Sequence, residues 1–209
     1  MLVCFAMKEE AGAFQRASKA NPDVTILVTG IGKANTERSV RDSFSSKMPK
    51  AILTCGFAGG LNPELESGTV VYATDDSSLA TKLSSAGAKR VRFFCADRIA
   101  TTVSEKLELR RSSGADAVEM ESEFIHALCR ERGIPCATVR VISDAANDDL
   151  PLDFNNLANP DLSLNYGKLA WAIAVAPGKI PALMRLQKIC RVASENLAGV
   201  LKEVTLTQG

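Results

Sequence analysis

Hydrophobic positions in this chain alternate between short unbroken runs and longer stretches in which they recur every three or four residues. The runs fall at 2–7, 24–29, 51–55, 69–73, 91–95, 115–119 and 136–142. Most are apolar throughout, the form of a strand covered on both faces. The stretches between them, at 9–20, 35–46, 77–86, 101–111 and 121–131, read as helices. The last of these puts Phe124, Ile125, Leu128 and Cys129 on one stripe, and Gly133-Ile134-Pro135 ends it. Toward the end of the chain Leu183, Leu186, Cys190, Ala193, Leu197, Val200 and Val204 keep a helical period, with Pro181 suited to the first turn. The polar stretch 147–165, rich in Asn, Asp and Pro, reads as a loop beside the functional site. No internal repeat interrupts the pattern. It predicts one three-layer α/β domain over 1–209, with a mixed, mostly parallel central sheet flanked by helices.

Composition narrows the function classes. With 46% hydrophobic and 23% charged residues, 209 residues can bury one sizeable core. Twenty-five basic against 24 acidic residues leave a net charge of +1, which suggests neither a nucleic-acid groove nor a polybasic membrane patch. No run approaches the roughly 18 apolar residues of a membrane span. The apolar start is followed at once by Lys8-Glu9-Glu10, the reverse of a signal peptide, so it reads as a first strand and points to the cytoplasm. None of the six cysteines forms a C-x-x-C pair, and most lie in apolar runs, so buried, reduced thiols are expected. His126 is the single histidine, which leaves little from which to build a zinc site or a Ser-His-Asp triad. No metal and no cofactor is expected.

Four motifs carry chemistry. Thr29-Gly30-Ile31-Gly32-Lys33 lies between a strand and a helix, where glycines let N–H groups approach an anion or a polarised water. Gly56-Phe57-Ala58-Gly59-Gly60-Leu61 follows the third strand and reads as a second Gly-rich loop on the same rim. Val118-Glu119-Met120-Glu121-Ser122 and Val139-Arg140-Val141-Ile142-Ser143-Asp144 each run a strand into carboxylates. Any one of these has a plain reading, as a tight turn or a helix cap. Neither Gly-rich stretch shows the G-x-G-x-x-G of a nucleotide-binding dehydrogenase.

Taken in order, G-I-G-K, G-x-A-G-G-L, V-E-M-E-S and V-R-x-I-S-D resemble the purine nucleoside phosphorylase and methylthioadenosine/S-adenosylhomocysteine nucleosidase superfamily. The opening Ala6-Met7-Lys8-Glu9-Glu10 is similar to that family's A-M-x-E-E start. In the C-terminal half, Glu105-Lys106, Gly133-Ile134-Pro135 and the stretch 177–186 resemble its hopanoid-associated branch, which acts on an adenosylated hopane. The resemblance implies cleavage of the N-glycosidic bond of a purine nucleoside, adenine being the expected base. Asp144 would protonate or hydrogen-bond purine N7, and Glu10 would activate water. Met120 would pack on the ribose and Glu121 would bind its hydroxyls. Gly30, Ile31 and Gly32 would floor a phosphate or water site beside Arg140, and Ile99 would meet the base. As a general acid Asp144 would need burial or neighbouring carboxylates to keep its proton. Hydrolysis and phosphorolysis both stay open, with inorganic phosphate the co-substrate in the second. Phe57 stands where the family's loop carries a hydroxyl, which leaves a non-catalytic nucleoside-binding protein as the other reading. A homodimer or larger homo-oligomer is expected, with Phe154, Leu157, Leu162 and Leu164 as apolar surface for it.

Overall fold

Alternation along the strands sets the layers. In β1 (Leu2–Phe5) of the computed structural model, Val3 and Phe5 turn to one face and Leu2 and Cys4 to the other, and all are buried. The structure describes residues 1–19, 21–45, 48–157, 159 and 165–206. The first face is covered by α1 (Lys8–Ser18), α3 (Ser77–Ser85) and the second half of α7 (Ile180–Leu206). Their contacts include Phe14, Leu83, Leu197 and Leu201. The second face is covered by α2 (Lys33–Phe44) and α5 (Ser122–Arg132) through Val40, Ile125 and Leu128.

β1 lies between β2 (Thr25–Val28) and β3 (Ile52–Gly60), parallel to both. β3 also pairs in parallel with β8 (Cys136–Asp144), and β8 pairs antiparallel with β4 (Val70–Thr74). The outer end of β3 is antiparallel to β7 (Ala117–Glu119). The sheet is therefore mixed and mostly parallel, as the apolar runs predict.

Three readings are corrected. The Gly-rich stretch after Cys55 is not a loop: β3 runs on through it to Gly60, with a bulge between Ala58 and Gly59. Its glycines serve close approach within the sheet rather than a turn. The run 91–95 is strand only from Phe93 onward. Lys89–Arg90 forms β5 on the edge of β4, and Phe93–Cys95 forms β6 beside β7. The chain changes partners at Arg92, whose N–H donates to Asp116. Phe154 and Leu157 are not surface residues either: Leu157 is buried and Phe154 faces a cavity. Leu162 and Leu164 lie outside the described residues.

One element has no counterpart in the hydrophobic pattern. α6 (Tyr166–Val175) precedes a short 3-10 turn, Pro177–Lys179, and then α7. Its apolar residues run almost without interruption, so no helical stripe marks it. α4 (Val103–Ser113) begins with a reciprocal cap: Thr102 accepts from the Glu105 N–H, and the Glu105 carboxylate accepts from the Thr102 N–H. That cap fixes the turn from which Lys106 points inward.

Candidate active site

The face of the sheet toward α5 changes character along β3 and β8. Paired positions run from Ile52 and Cys136, which are apolar, to Thr54 and Thr138, and then to Gly56 and Arg140. A guanidinium thus enters the sheet's interior where the strands near their carboxyl ends, the rim at which α/β proteins gather ligands. Arg140 is 1% exposed. Its Nη2 donates to Glu119 at 2.7 Å, to Glu121 at 3.3 Å and to Thr54 at 3.3 Å. Burial works against its charge, but Glu119, Glu121 and Glu10 outweigh it and hold the guanidinium protonated well above its ordinary value. Among the described residues, its Nε is the one buried side-chain polar atom without a hydrogen-bond partner.

Gly56 shows why a side chain is missing there. A Cβ at that position would lie 2.5 Å from Arg140 Nη1 and 2.6 Å from Glu10 Oε1. The backbone itself is therefore the spacer between a buried cation and a buried carboxylate. Glu10, in the first turn of α1, is aimed by two backbone donors: Met7 N–H at 3.0 Å and Phe57 N–H at 2.9 Å. Burial pushes its carboxyl above the ordinary range, and the attraction of Arg140 and the backbone donors only partly oppose this.

β7 ends in two carboxylates with different surroundings. Glu119 accepts from the N–H groups of Glu121 and Ser122 and from the Ser122 hydroxyl. Burial would raise it, yet Arg140 and these donors win and hold it below the ordinary range. Glu121 has fewer donors. Burial, reinforced by Glu119 and Glu10, overcomes Arg140 and lifts it to about 7. One side chain is thus a fixed anion that seats the arginine. The other is poised to change charge near neutrality.

Asp144 closes β8 in a different setting from the one its role was read to require. Its nearest charged neighbour is a cation: Lys106 Nζ, wholly buried, sits 2.5 Å from Oδ2. Lys106 also donates to the carbonyls of Ala145 and Asp148, at 2.8 Å each. Ser143 donates to Asp144 Oδ1 at 2.6 Å. The carboxylates of Glu10, Glu119 and Glu121 gather around Arg140, and the lysine replaces them as the partner of Asp144.

Glu10, Ile31, Ile99, Met120, Glu121 and Asp144 all line one cavity of about 560 Å³. Gly30 and Gly32, both with left-handed backbone, flank Ile31 at the start of α2 and are not among the lining residues. Arg140 lies behind the wall rather than on it, screened by its carboxylates. Phe57 lines the cavity, and so do Leu150, Phe154 and Asn155 from the stretch read as a loop. Ile99 is engaged on both backbone groups by one side chain: its N–H donates to Asn155 Oδ1 and its C=O accepts from Asn155 Nδ2. His126 is elsewhere, against Thr138.

Sequence reasoning missed Glu119 as a site residue, although it stands inside the V-E-M-E motif. It also missed Lys106 as a site residue, although Glu105-Lys106 is part of the resemblance, and Leu186 and Cys190 of α7, which read only as a core stripe. Among the described residues no cluster of His, Cys, Asp or Glu is placed to hold a metal ion.

Comparison with known proteins bears on this arrangement. The family model described as the phosphorylase superfamily matches residues 6–87 and 76–164. An aminodeoxyfutalosine nucleosidase of Campylobacter jejuni is 26% identical over 185 residues, covering 72% of this chain and 81% of that one. A 5′-methylthioadenosine/S-adenosylhomocysteine nucleosidase of Shewanella sediminis is 25% identical over 177 residues, covering 68% and 77%. The structure of the futalosine hydrolase of Helicobacter pylori superposes with a TM-score of 0.73 at 16% identity, over 97% of this chain and 95% of that one. The last likeness is one of fold.

Proposed function

The chain belongs to the phosphorylase superfamily, and from that premise we propose that it hydrolyses the N-glycosidic bond of an adenine nucleoside and releases the free base. The observation that carries the reading is the convergence of Glu10, Met120, Glu121 and Asp144 on one cavity, with Asp144 backed by a buried lysine. The names of the relatives, all nucleosidases or hydrolases, point the same way.

As the bond from C1′ to N9 breaks, its electron pair goes to the purine and the sugar becomes oxocarbenium-like. The base leaves readily once N7 takes a proton. That proton passes from Lys106 through the Asp144 carboxylate, with which the lysine is paired at 2.5 Å. Water adds to C1′ and gives its proton to Glu10, whose burial makes its carboxylate a stronger base than an exposed one. Met120 and Glu121 hold the ribose. The paired N–H and C=O of Ile99 suit the base, because adenine's N1 and N6 edge presents the same adjacent acceptor and donor as the Asn155 amide now bonded there. The apolar side of the cavity, with Leu150, Phe154, Leu186 and Cys190, suits an apolar 5′-substituent.

Water is preferred to phosphate on electrostatic grounds. The nearby cations are engaged: Arg140 by Glu119 and Glu121, Lys106 by Asp144, and Arg98 by Glu105. A phosphate dianion would enter beside carboxylates, and among the described residues that line the cavity the one cation, Arg98, is already paired with Glu105. The test is incubation with adenosine, 5′-methylthioadenosine and S-adenosylhomocysteine, with and without inorganic phosphate, followed by chromatography of free adenine. Release at a rate independent of phosphate is expected. Strict dependence on phosphate would replace hydrolysis by phosphorolysis, and no release with any of the three would leave nucleoside binding without turnover. The reading also places the protein in the cytoplasm as a homo-oligomer, and a monomeric mass by light scattering at micromolar concentration would count against that assembly.

A further inference from the structure

We propose that the elbow formed by α6, the turn at Pro177–Lys179 and the first turns of α7 docks onto the surface of an anionic lipid bilayer. A helix apolar nearly all round is normally buried, yet no described side chain of α6 is. Trp171 is 71% exposed and Val175 61%, and across the bend Met184 is 65% exposed. Trp171 and Val175, four positions apart, share one face of α6, and exposed apolar surface of this kind marks an interaction site.

Charge identifies the partner. Acidic and basic residues balance over the whole chain, but from Asn165 to Ser194 it carries Lys168, Lys179, Arg185, Lys188 and Arg191 and no acidic residue. All five are exposed. Lys179 sits in the turn itself, and Arg185 and Lys188 follow Met184 within the next turn of α7, about 6 Å along the axis. An apolar tip with cations one turn behind it fits a headgroup layer: tryptophan and aliphatic side chains enter the acyl boundary while lysine and arginine reach the phosphates. The elbow does not cross the bilayer. Its two helices are bent by 102°, and the second half of α7 is committed to the core through Ala193, Leu197, Leu201 and Val204. Leu186 and Cys190, on the same helix, line the cavity. Docking therefore sets the cavity beside the bilayer surface. This inference is independent of the reaction proposed above.

Trp171 is the only tryptophan in the chain, so its emission reports the elbow alone. The full-length protein is mixed with vesicles of phosphatidylcholine, or of phosphatidylcholine with a third of it replaced by phosphatidylglycerol, and recovered by flotation. Binding to the second only, with a blue shift of Trp171 emission and reversal by salt, is expected. Each cation near an anionic surface contributes about fivefold to partitioning. Changing Lys179, Arg185 and Lys188 together to Glu should therefore weaken binding by at least about a hundredfold, with an unchanged circular dichroism melt showing that the variant folds. No flotation and no shift would overturn the proposal. So would a Trp171 emission that is already blue without lipid and reddens on dilution, which would put a second copy of the chain on the elbow.

Discussion

Asp144 and Lys106 are the residues on which the proposed mechanism turns. Asp144→Asn keeps the shape but removes the carboxylate that passes the Lys106 proton to N7, so turnover should fall by about 10²–10⁴ while KM changes little. Were Asp144 only the end of β8, the variant would lose stability and keep its rate. Lys106→Met leaves a buried carboxylate without its cation, and such a loss costs about 3–5 kcal/mol. Adding Asp144→Asn to it should restore much of that stability, as read by urea denaturation, and none of the turnover. A double variant as active as Lys106→Met alone would remove Asp144 from the chemistry. Glu121 carries a pH dependence whose sign can be worked out. Its folded value, about 7, lies above the ordinary 4.5, so the folded protein holds that proton more tightly than the unfolded chain does. Stability tied to Glu121 is complete below about 4.5 and declines as pH rises toward 7, by up to about 3 kcal/mol. Glu10, also raised, adds to the same trend, whereas Glu119, held low, loses its contribution only as the solution becomes acid. Glu121→Gln should therefore flatten part of the decline in a series of urea melts across this range. An unaltered slope would mean that Glu121 titrates normally.

At the scale of elements, β3 and α7 each do two things along their length. The first half of β3 builds core with Ile52 and Leu53, and its second half gives way at Gly56 to seat Arg140 and Glu10. A methyl at Gly56 has no room, so Gly56→Ala should destabilise the fold by about 1–3 kcal/mol and reduce activity by displacing both charged groups. Gly199 is the contrast. It lies within α7, where a Cβ would meet nothing within 4 Å, so Gly199→Ala should stabilise the protein by about 0.5–1 kcal/mol. Thermal melts of the two variants should move in opposite directions. A Gly56→Ala protein with the parent's melting temperature would mean that the arginine and Glu10 are free to shift. In α7 the helical stripe was legible because residues from Ala193 onward face the sheet. The elbow before it was not, because α6 covers no core and so shows no periodicity.

For the molecule as a whole, two charge distributions matter more than the net charge. One is internal, with Glu10, Glu119 and Glu121 around Arg140, and it disfavours phosphate. The other is external, the basic elbow, which a balanced composition conceals. The sequence by itself determined the layers and the motifs, because the alternation of short apolar runs with helical stripes is a local consequence of which faces must leave water. It also determined that Glu10, Met120, Glu121 and Asp144 stand at the ends of strands or starts of helices, since caps and strand ends have residue preferences of their own. Only the tertiary structure decided which charges meet. Lys106 is 38 positions from Asp144 in the chain and reaches it through the docking of α4. Glu119 and Glu121 share one arginine yet differ in ionisation, because Glu119 is given three further donors and Glu121 has the repulsion of two neighbouring carboxylates in their place. Periodicity reports burial along a chain. The energy of a buried charge depends on what lies within a few ångströms of it, and that distance is set by the packing of elements far apart in sequence.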